Sequence, residues 1–263
     1  MVMNTMLSES EQKELQLAKH LLENPGLAAR ITNVIGMPIE KGIEKLPKNW
    51  GEQIGKLTRA ALMKASQAAI FTLKDVPGKT SSDKWHKVSV AASGGISGFF
   101  GLTALAIELP VSTTIMLRSI AEIARSQGES ISSVDTRLAC LEVFALGGNK
   151  RSDDATGSGY YAVRAVLARS ISEAAEFVVE RGLAEKGAPV LVRLIAAISQ
   201  RFGVQITEKA AAQAIPAIGA AGGALINTIF MDHFQDMAKG HFVVRKMERK
   251  YGKEAIKSIY EKL

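Results

Sequence analysis

Apolar residues recur three or four positions apart along most of the chain, which is the period of an α-helix. Near the start, Ser8 and Glu11 have the spacing of a capping box, and Leu15, Ala18 and Leu22 then line one helical face. The same reasoning predicts helices over 27–45, 52–73, 88–105, 107–124, 136–146, 160–181 and 189–202, and another that begins at 207. No convincing run alternates as a strand does, although VLVRLI at 190–195 fits either structure. We therefore predict an all-α fold.

These helices are expected to form one multi-helix bundle over residues 1–263, with two glycine-rich apolar helices at its core and a basic C-terminal helix. N-terminal helices are expected over 8–75, the apolar glycine-rich core over 88–148, and C-terminal helices over 160–263. Residues 149–159 are small, polar and charged, and we predict a flexible loop there.

Two apolar runs are rich in glycine: AASGGISGFFGLTALAIELP at 91–110 and PAIGAAGGALINTIF at 216–230. The first run lacks the glycine spacing of a dinucleotide fingerprint, and no lysine follows it as in a P-loop. Pairs of small residues four positions apart occur in both runs: Gly94 and Gly98, Ser97 and Gly101, and Gly219 and Gly223. Such pairs let two helix backbones approach closely, so we predict helix-packing surfaces that could also line a cavity for an apolar ligand.

A membrane span is the alternative for the first run, because 88–117 is long enough to cross ~30 Å of hydrocarbon. The run contains Glu108 and Pro110, and a carboxylate in a span costs roughly 2.5 to 3.5 kcal/mol. We therefore favour a helical hairpin that is buried or partly inserted. Glu108 is expected to have a polar partner inside the protein, and Asn227 in the second run is one candidate.

The charge is concentrated near the end of the chain. The net charge is +7, and the last 27 residues hold eight lysines and arginines against three glutamates. The expected contacts to an anionic membrane or another anionic partner are Arg245, Lys246, Arg249, Lys250, Lys253 and Lys257. A helix that lies on the protein's own core would show the same pattern. No nucleic-acid-binding motif occurs, so no nucleic acid is expected as a partner.

The remaining composition favours a globular cytoplasmic protein, with 47% hydrophobic and 22% charged residues. The single cysteine, Cys140, excludes an intramolecular disulfide and fits a reducing compartment. The first twenty residues do not read as a secretory signal.

The densest group of candidate catalytic or metal-binding residues is Asp232, His233 and Asp236, with His241 nearby. Two carboxylates and one histidine lack a further ligand at metal-site spacing, so a solvated helix turn is favoured over a metal site. No motif of a nucleophilic hydrolase or zinc protease occurs, and we predict no catalytic residues and no cofactor.

Several segments together resemble the EcsC protein family. They are IGMPIEKGIEKLP, SGGISGFFGLTALAIELPVSTTIMLRSIAEIARSQG, IPAIGAAGGALINTIF and HFVVRKMERKYG, and they extend over most of the chain. The resemblance implies a bacterial helical protein. The namesake of the family is encoded beside the subunits of an ABC-type exporter, which implies membrane association but no active site.

Three functions follow as hypotheses. The favoured one is a non-enzymatic protein that associates peripherally with the cytoplasmic face of a bacterial membrane or with a membrane transport complex. A soluble carrier of an apolar or lipid ligand is the second. The third is a hydrolase or metalloenzyme that uses Asp232, His233 and Asp236.

Overall fold

The computed structural model describes residues 7–23, 26–72, 101–148, 159–181, 189–215 and 219–263. Within these ranges the regular elements are all helical, and the prediction of an all-α fold is confirmed. The helices are α1 (Glu9–Glu23), α2 (Leu27–Ile35), α3 (Glu40–Ile43), α4 (Trp50–Thr72), α5 (Gly101–Ser126), α6 (Val134–Glu142), α7 (Gly159–Arg181), α8 (Pro189–Gln213), α9 (Gly219–Tyr251) and α10 (Lys253–Lys262). A 3₁₀ turn, Val143–Ala145, follows α6.

Helix α9 forms the centre of the bundle. It has 33 residues, which corresponds to a length of about 50 Å, and it contacts α1, α2, α5, α8, α10 and the 3₁₀ turn. Its fully or almost fully buried side chains include Ile226, Phe230, Met231, Phe234, Met237, Phe242 and Val244. A helix that is apolar on several faces can lose its contact with water only if other helices surround it.

An aromatic cluster joins α8, α9 and the 3₁₀ turn. The ring centroid of Phe144 lies 4.8 Å from that of Phe202 and 5.3 Å from that of Phe234. Phe230 lies 5.1 Å from Phe234, and all four rings are fully buried. Tilted and edge-on rings at these separations gain contact energy beyond the area that they bury.

Two hydrogen bonds show that α5 and α9 run side by side in the same direction. Gln235 donates to the hydroxyl of Ser119 at 2.9 Å, and Arg245 donates to Glu129, just beyond α5, at 2.9 Å. Each pair is separated by 116 residues, so the register is constant along both helices. The starts of α5 and α9 therefore lie at the same end of the bundle.

Helix α8 runs in the opposite direction to α9. The amine of Lys209 lies 5.0 Å from the centroid of the Phe230 ring, whereas Phe202, two turns earlier, packs against Phe234. The last turns of α8 therefore meet the first turns of α5 and α9.

Close backbone approach occurs at glycines outside the two runs. A Cβ atom on Gly240 of α9 would lie 2.6 Å from Cγ of Leu22 and 2.9 Å from the carbonyl oxygen of Ala18. A Cβ atom on Gly42 would overlap the carbonyl oxygen of Ala211 on α8. The periodicity indicated that helices pack closely, but it did not select these two positions.

Several predicted boundaries are wrong. The helix predicted over 27–45 ends at Ile35, because Gly36 adopts φ +71° and Pro38 follows; the short α3 comes after it. Pro110 lies inside an uninterrupted α5, and α8 continues through 203–206 as one helix. The second apolar run and the basic helix form one element, α9, as far as Gly252, whose φ is +91°.

Some predictions fall on residues outside the described ranges. These are the start of the glycine-rich core, 88–100, and the predicted loop 149–159 except Gly159, which is the first residue of α7.

We expect Gly240→Ala to lower the free energy of unfolding by about 1 to 2 kcal/mol, because the added methyl group overlaps Leu22 and the backbone of Ala18. Gly55→Ala in α4 is the matched control, because nothing lies within 4 Å of its Cβ position. That substitution should raise the free energy by roughly 0.5 to 1 kcal/mol. Urea denaturation measures both, and a stabilised Gly240→Ala variant would contradict the close approach.

Candidate functional site

A buried ion pair joins α5 and α8 near the end of the bundle where α5 and α9 begin. The amine of Lys209 donates to Oε1 of Glu108 at 2.6 Å, and the two side chains are 0% and 4% exposed. The amine also lies over the ring of Phe230, so α9 contributes to the same site. Glu108 thus has a polar partner in the core, and this partner is Lys209, which the sequence did not single out.

Such a pair contributes less to stability than its short distance suggests. Removing two charges from water costs several kcal/mol per ion, and full compensation requires every polar atom to be hydrogen-bonded. Oε2 of Glu108 is buried without a hydrogen-bond partner among the described residues. The pair therefore fixes the position of α5 relative to α8, and its net contribution to the free energy of folding is small.

Exposed apolar side chains lie at the same level as this pair. Ile107 and Val111 on α5 are 72% and 50% exposed, and Leu225 on α9 is 46% exposed. The constant register places Leu225 level with Leu109, between the two α5 residues. We call Ile107, Val111 and Leu225 the apolar surface.

The glycines predicted to mediate helix packing are only partly described. Gly94 and Gly98 lie outside the described residues, Gly101 and Gly219 are the first residues of α5 and α9, and Gly223 is buried. The register places the two helix starts at nearly the same level, but a packing role for these glycines stays a prediction. Asn227 is fully buried one turn beyond Gly223.

Among the described residues, one helix is long and apolar enough to cross a membrane by length and composition, and it is α8. Its most apolar window is 44% buried inside the protein, and core helices of soluble proteins pass the same test. This is weak evidence for a span, and it falls on a helix other than the glycine-rich run for which a span was the alternative.

The basic residues predicted for an anionic partner are largely paired within the protein. Arg245 donates to Glu129 at 2.9 Å and to Asp135 at 2.5 Å, and Arg249 also pairs with Glu129. Thr136 donates its hydroxyl to the other oxygen of Glu129 at 3.0 Å. Glu129 and Asp135 together therefore balance the charge of the two arginines.

The acids of α1 pair with the neighbouring face of the same helical segment. Lys246 pairs with Glu14 at 3.0 Å, and Lys250 pairs with Glu11 at 2.6 Å. The hydrogen bond from Lys250 is the largest cause that lowers the pKa of Glu11 to about 2. Of the six predicted contact residues, the remaining two are Lys253, which is exposed, and Lys257, whose amine lies 5.9 Å from the centroid of the Tyr161 ring.

A buried polar cluster lies between α6, α7 and the second half of α9. The hydroxyl of Tyr160 is hydrogen-bonded to Nδ1 of His241 at 3.0 Å, and Nε2 of the same ring lies 3.8 Å from Glu142. Arg164 donates two hydrogen bonds to Glu248, at 2.7 and 2.9 Å. These contacts fasten the first turns of α7 to α9.

Burial controls the ionisation of this cluster. Desolvation raises the pKa of Glu142 to about 7, although Arg164 and Arg245 oppose the shift. Desolvation also lowers the pKa of His241 well below its ordinary value. In the sequence, His241 stands out only as a neighbour of the aspartates, because its partners are 81 and 99 residues away in the chain.

The predicted group of Asp232, His233 and Asp236 is divided in the structure. Asp236 pairs with Arg30 of α2 at 2.7 Å. His233 is fully buried against Phe234 and the backbone of Gly147, and burial lowers its pKa to about 3. Within the described ranges, no group of three His, Cys, Asp or Glu residues could hold a metal ion.

The structure thus defines an all-α bundle built on one central helix, with a buried ion pair at one end and paired surface charges at the other. The chain belongs to the EcsC protein family, whose model matches residues 9–247. The matched range begins at α1 and includes most of α9. No curated protein and no solved structure matches the chain significantly.

We expect Lys209→Met to lower the free energy of unfolding by about 3 to 5 kcal/mol, because it leaves the buried charge of Glu108 unpaired. The double variant Glu108→Leu with Lys209→Met should recover most of this loss, since no buried charge remains. Urea denaturation of the two variants measures the difference. An equal loss of unfolding free energy in the single and the double variant would show that the packing of the helices depends on the ion pair itself.

We expect Glu142→Gln to stabilise the protein increasingly as pH rises. The pKa of Glu142 is raised in the folded state, from 4.5 to about 7. The free-energy cost of ionising the buried carboxyl is therefore small below pH 4.5, grows up to about pH 7 and is nearly constant above that pH. Glutamine resembles the neutral acid and avoids this cost, which corresponds to roughly 3 kcal/mol at pH 8. Unfolding free energies of both proteins across pH 4.5–8 test this, and parallel profiles would contradict it.

Proposed function

We propose that the protein associates peripherally with the cytoplasmic face of a bacterial membrane through the apolar surface of Ile107, Val111 and Leu225. The observation that carries the proposal is the exposure of these three branched side chains at one level of two neighbouring helices. Scattered apolar residues are common on soluble proteins, whereas grouped ones are typical of interaction surfaces.

The free energy involved suits reversible binding. Burying an aliphatic side chain that water half covers gains roughly 1 kcal/mol or more. Three such residues, inserted at the boundary between headgroups and acyl chains, supply a few kcal/mol. That amount supports peripheral association and is far below what a spanning helix gains.

The buried ion pair is compatible with this orientation. Glu108 lies between Ile107 and Val111 in the chain, yet its carboxylate points into the bundle and reaches Lys209. The outer face of α5 can therefore meet lipid while the carboxylate of Glu108 stays inside the protein, away from hydrocarbon.

The family supports a membrane setting without identifying a partner. The resemblance to EcsC proteins, whose namesake is encoded beside the subunits of an exporter, makes a membrane transport complex a further candidate for the same surface. An isolated bilayer is the simpler occupant, because the apolar surface requires no complementary protein shape.

We expect Ile107→Ser with Val111→Ser to weaken binding to vesicles about thirtyfold, because each substitution removes roughly 1 kcal/mol of apolar transfer without changing charge. Co-sedimentation with vesicles made of equal parts phosphatidylcholine and phosphatidylglycerol measures the partition coefficient.

The matched control is Val166→Ser with Val179→Ser on α7, whose valines are 66% and 75% exposed. These positions are equally accessible but lie on another helix, so the control should bind as the unchanged protein does. A protein that stays in the supernatant, or equal weakening in both variants, would rule out this surface.

A further inference from the structure

Helix α1 covers one side of the second half of α9. Three contacts, taken in the order of α1, meet α9 at successively earlier residues: Glu11 with Lys250, Glu14 with Lys246, and Ala18 with Gly240. The two helices therefore lie antiparallel, and α1 extends over about three turns of α9.

The side of α9 that α1 covers is both apolar and basic. Val243 and Met247 lie three and seven residues after Gly240, so they belong to the face that meets α1, and they are 8% and 2% exposed. Lys246 and Lys250 lie at the edge of this face, where their amines reach the acids of α1. We call Val243, Lys246, Met247 and Lys250 the covered stripe.

The attachment of α1 depends on a small apolar face and on ion pairs at the surface. Its fifteen residues include four glutamates and two lysines, and its buried residues are Leu15, Ala18 and Leu22. The side chains of Lys246 and Lys250 remain 47% and 62% exposed, so water and salt screen their pairs with α1. A helix with few buried side chains and exposed polar contacts is among the first elements of a fold to open.

The covered stripe continues the apolar surface along α9. Val243 follows Leu225 by 18 residues, which complete about five turns, so both side chains leave the helix in the same direction. Asp232 and Asp236 lie between them on this side, and Asp236 is paired with Arg30. With α1 displaced, four cations accompany these two acids: Arg30, Lys239, Lys246 and Lys250.

Helix α1 limits how far a bilayer can follow α9. A helix with its side chains is about 10 Å thick, so a bilayer that touches Leu225 is kept away from Val243 while α1 is in place. An anionic bilayer offers the stripe the same two kinds of contact as α1. Its headgroups can replace the carboxylates beside the lysines, and its acyl chains can replace the apolar side chains.

We propose that α1 is a displaceable cover, and that an anionic bilayer takes its place on the covered stripe. This inference rests on the proposed membrane association and adds to it a second contact surface and the charge of the lipid. A lysine near an anionic surface strengthens binding about fivefold, so Lys246 and Lys250 together contribute up to about twenty-fivefold once they are uncovered.

The test weakens the cover without changing the stripe. Glu11→Gln and Glu14→Gln are combined in one protein, and glutamine at position 11 can keep the capping box with Ser8. The control combines Glu52→Gln with Glu173→Gln, which also removes two acids from ion pairs at the surface, on α4 and α7. Each is co-sedimented with phosphatidylcholine vesicles and with vesicles of equal parts phosphatidylcholine and phosphatidylglycerol, after circular dichroism has verified its fold.

The α1 variant should bind the anionic vesicles at least fivefold more tightly than the control, because each surface ion pair shifts an equilibrium by up to about fivefold. The gain should be smaller on phosphatidylcholine, which offers the lysines no net negative charge. Since both variants lose the same charge, equal binding of the two to anionic vesicles overturns the proposal.

Pulsed electron paramagnetic resonance measures the displacement itself. Spin labels are attached at Leu17→Cys on α1 and at Lys64→Cys on α4, where both positions are exposed, whereas the native Cys140 is buried. The distance between the labels should change when anionic vesicles are added and stay constant with phosphatidylcholine. An unchanged distance on anionic vesicles that bind the protein also overturns the cover.

Failure of the cover is distinguishable from failure of the membrane association. If Ile107→Ser with Val111→Ser weakens vesicle binding while the α1 variant behaves as its control, only the cover is wrong. If neither the unchanged protein nor the α1 variant binds either vesicle, both proposals fail.

Discussion

The packing of α9 against the helices around it is the constraint that organises this protein. Because the helix buries apolar side chains on several faces, its neighbours must cover it along most of its length. The first half is covered by α5 and α8, which meet through Lys209 and Glu108. The second half is covered by α1 and α7, whose acids and tyrosines pair with its basic and polar residues. One helix therefore has two ends with different chemistry.

Ion pairing at the second end reduces the positive charge that this part of the protein presents to a partner. Isolated surface ion pairs contribute between 0 and 1 kcal/mol, but Glu129 is nearly buried and receives Arg245, Arg249 and the hydroxyl of Thr136 together. A network of this kind fixes the geometry of three elements. The sequence count of +7 thus overstates the positive charge that α9 presents to a partner.

Period and composition were sufficient to predict the helices and the apolar core, because both depend on local spacing. They also indicated that Glu108 needs a polar partner, since a carboxylate in an apolar run is costly. The identity of Lys209 could not be predicted, because the pairing spans 101 residues and nothing local marks that lysine as buried. For the same reason, the sequence did not reveal the pairing of Lys250 with Glu11, 239 residues away, or the separation of His233 from Asp236. Contacts between distant segments are set by the topology of the bundle, which spacing does not encode.

The position of α9 in the chain also affects how the protein is made. Helices α1 to α8 leave the ribosome before α9, yet the apolar face of α1, with Leu15, Ala18 and Leu22, is buried by contact with it. At 5 to 20 residues per second, roughly 10 to 45 s pass between synthesis of α1 and completion of α9. During translation the nascent chain therefore carries uncovered apolar helices, which are the surfaces that chaperones bind and that aggregate when chaperones are scarce.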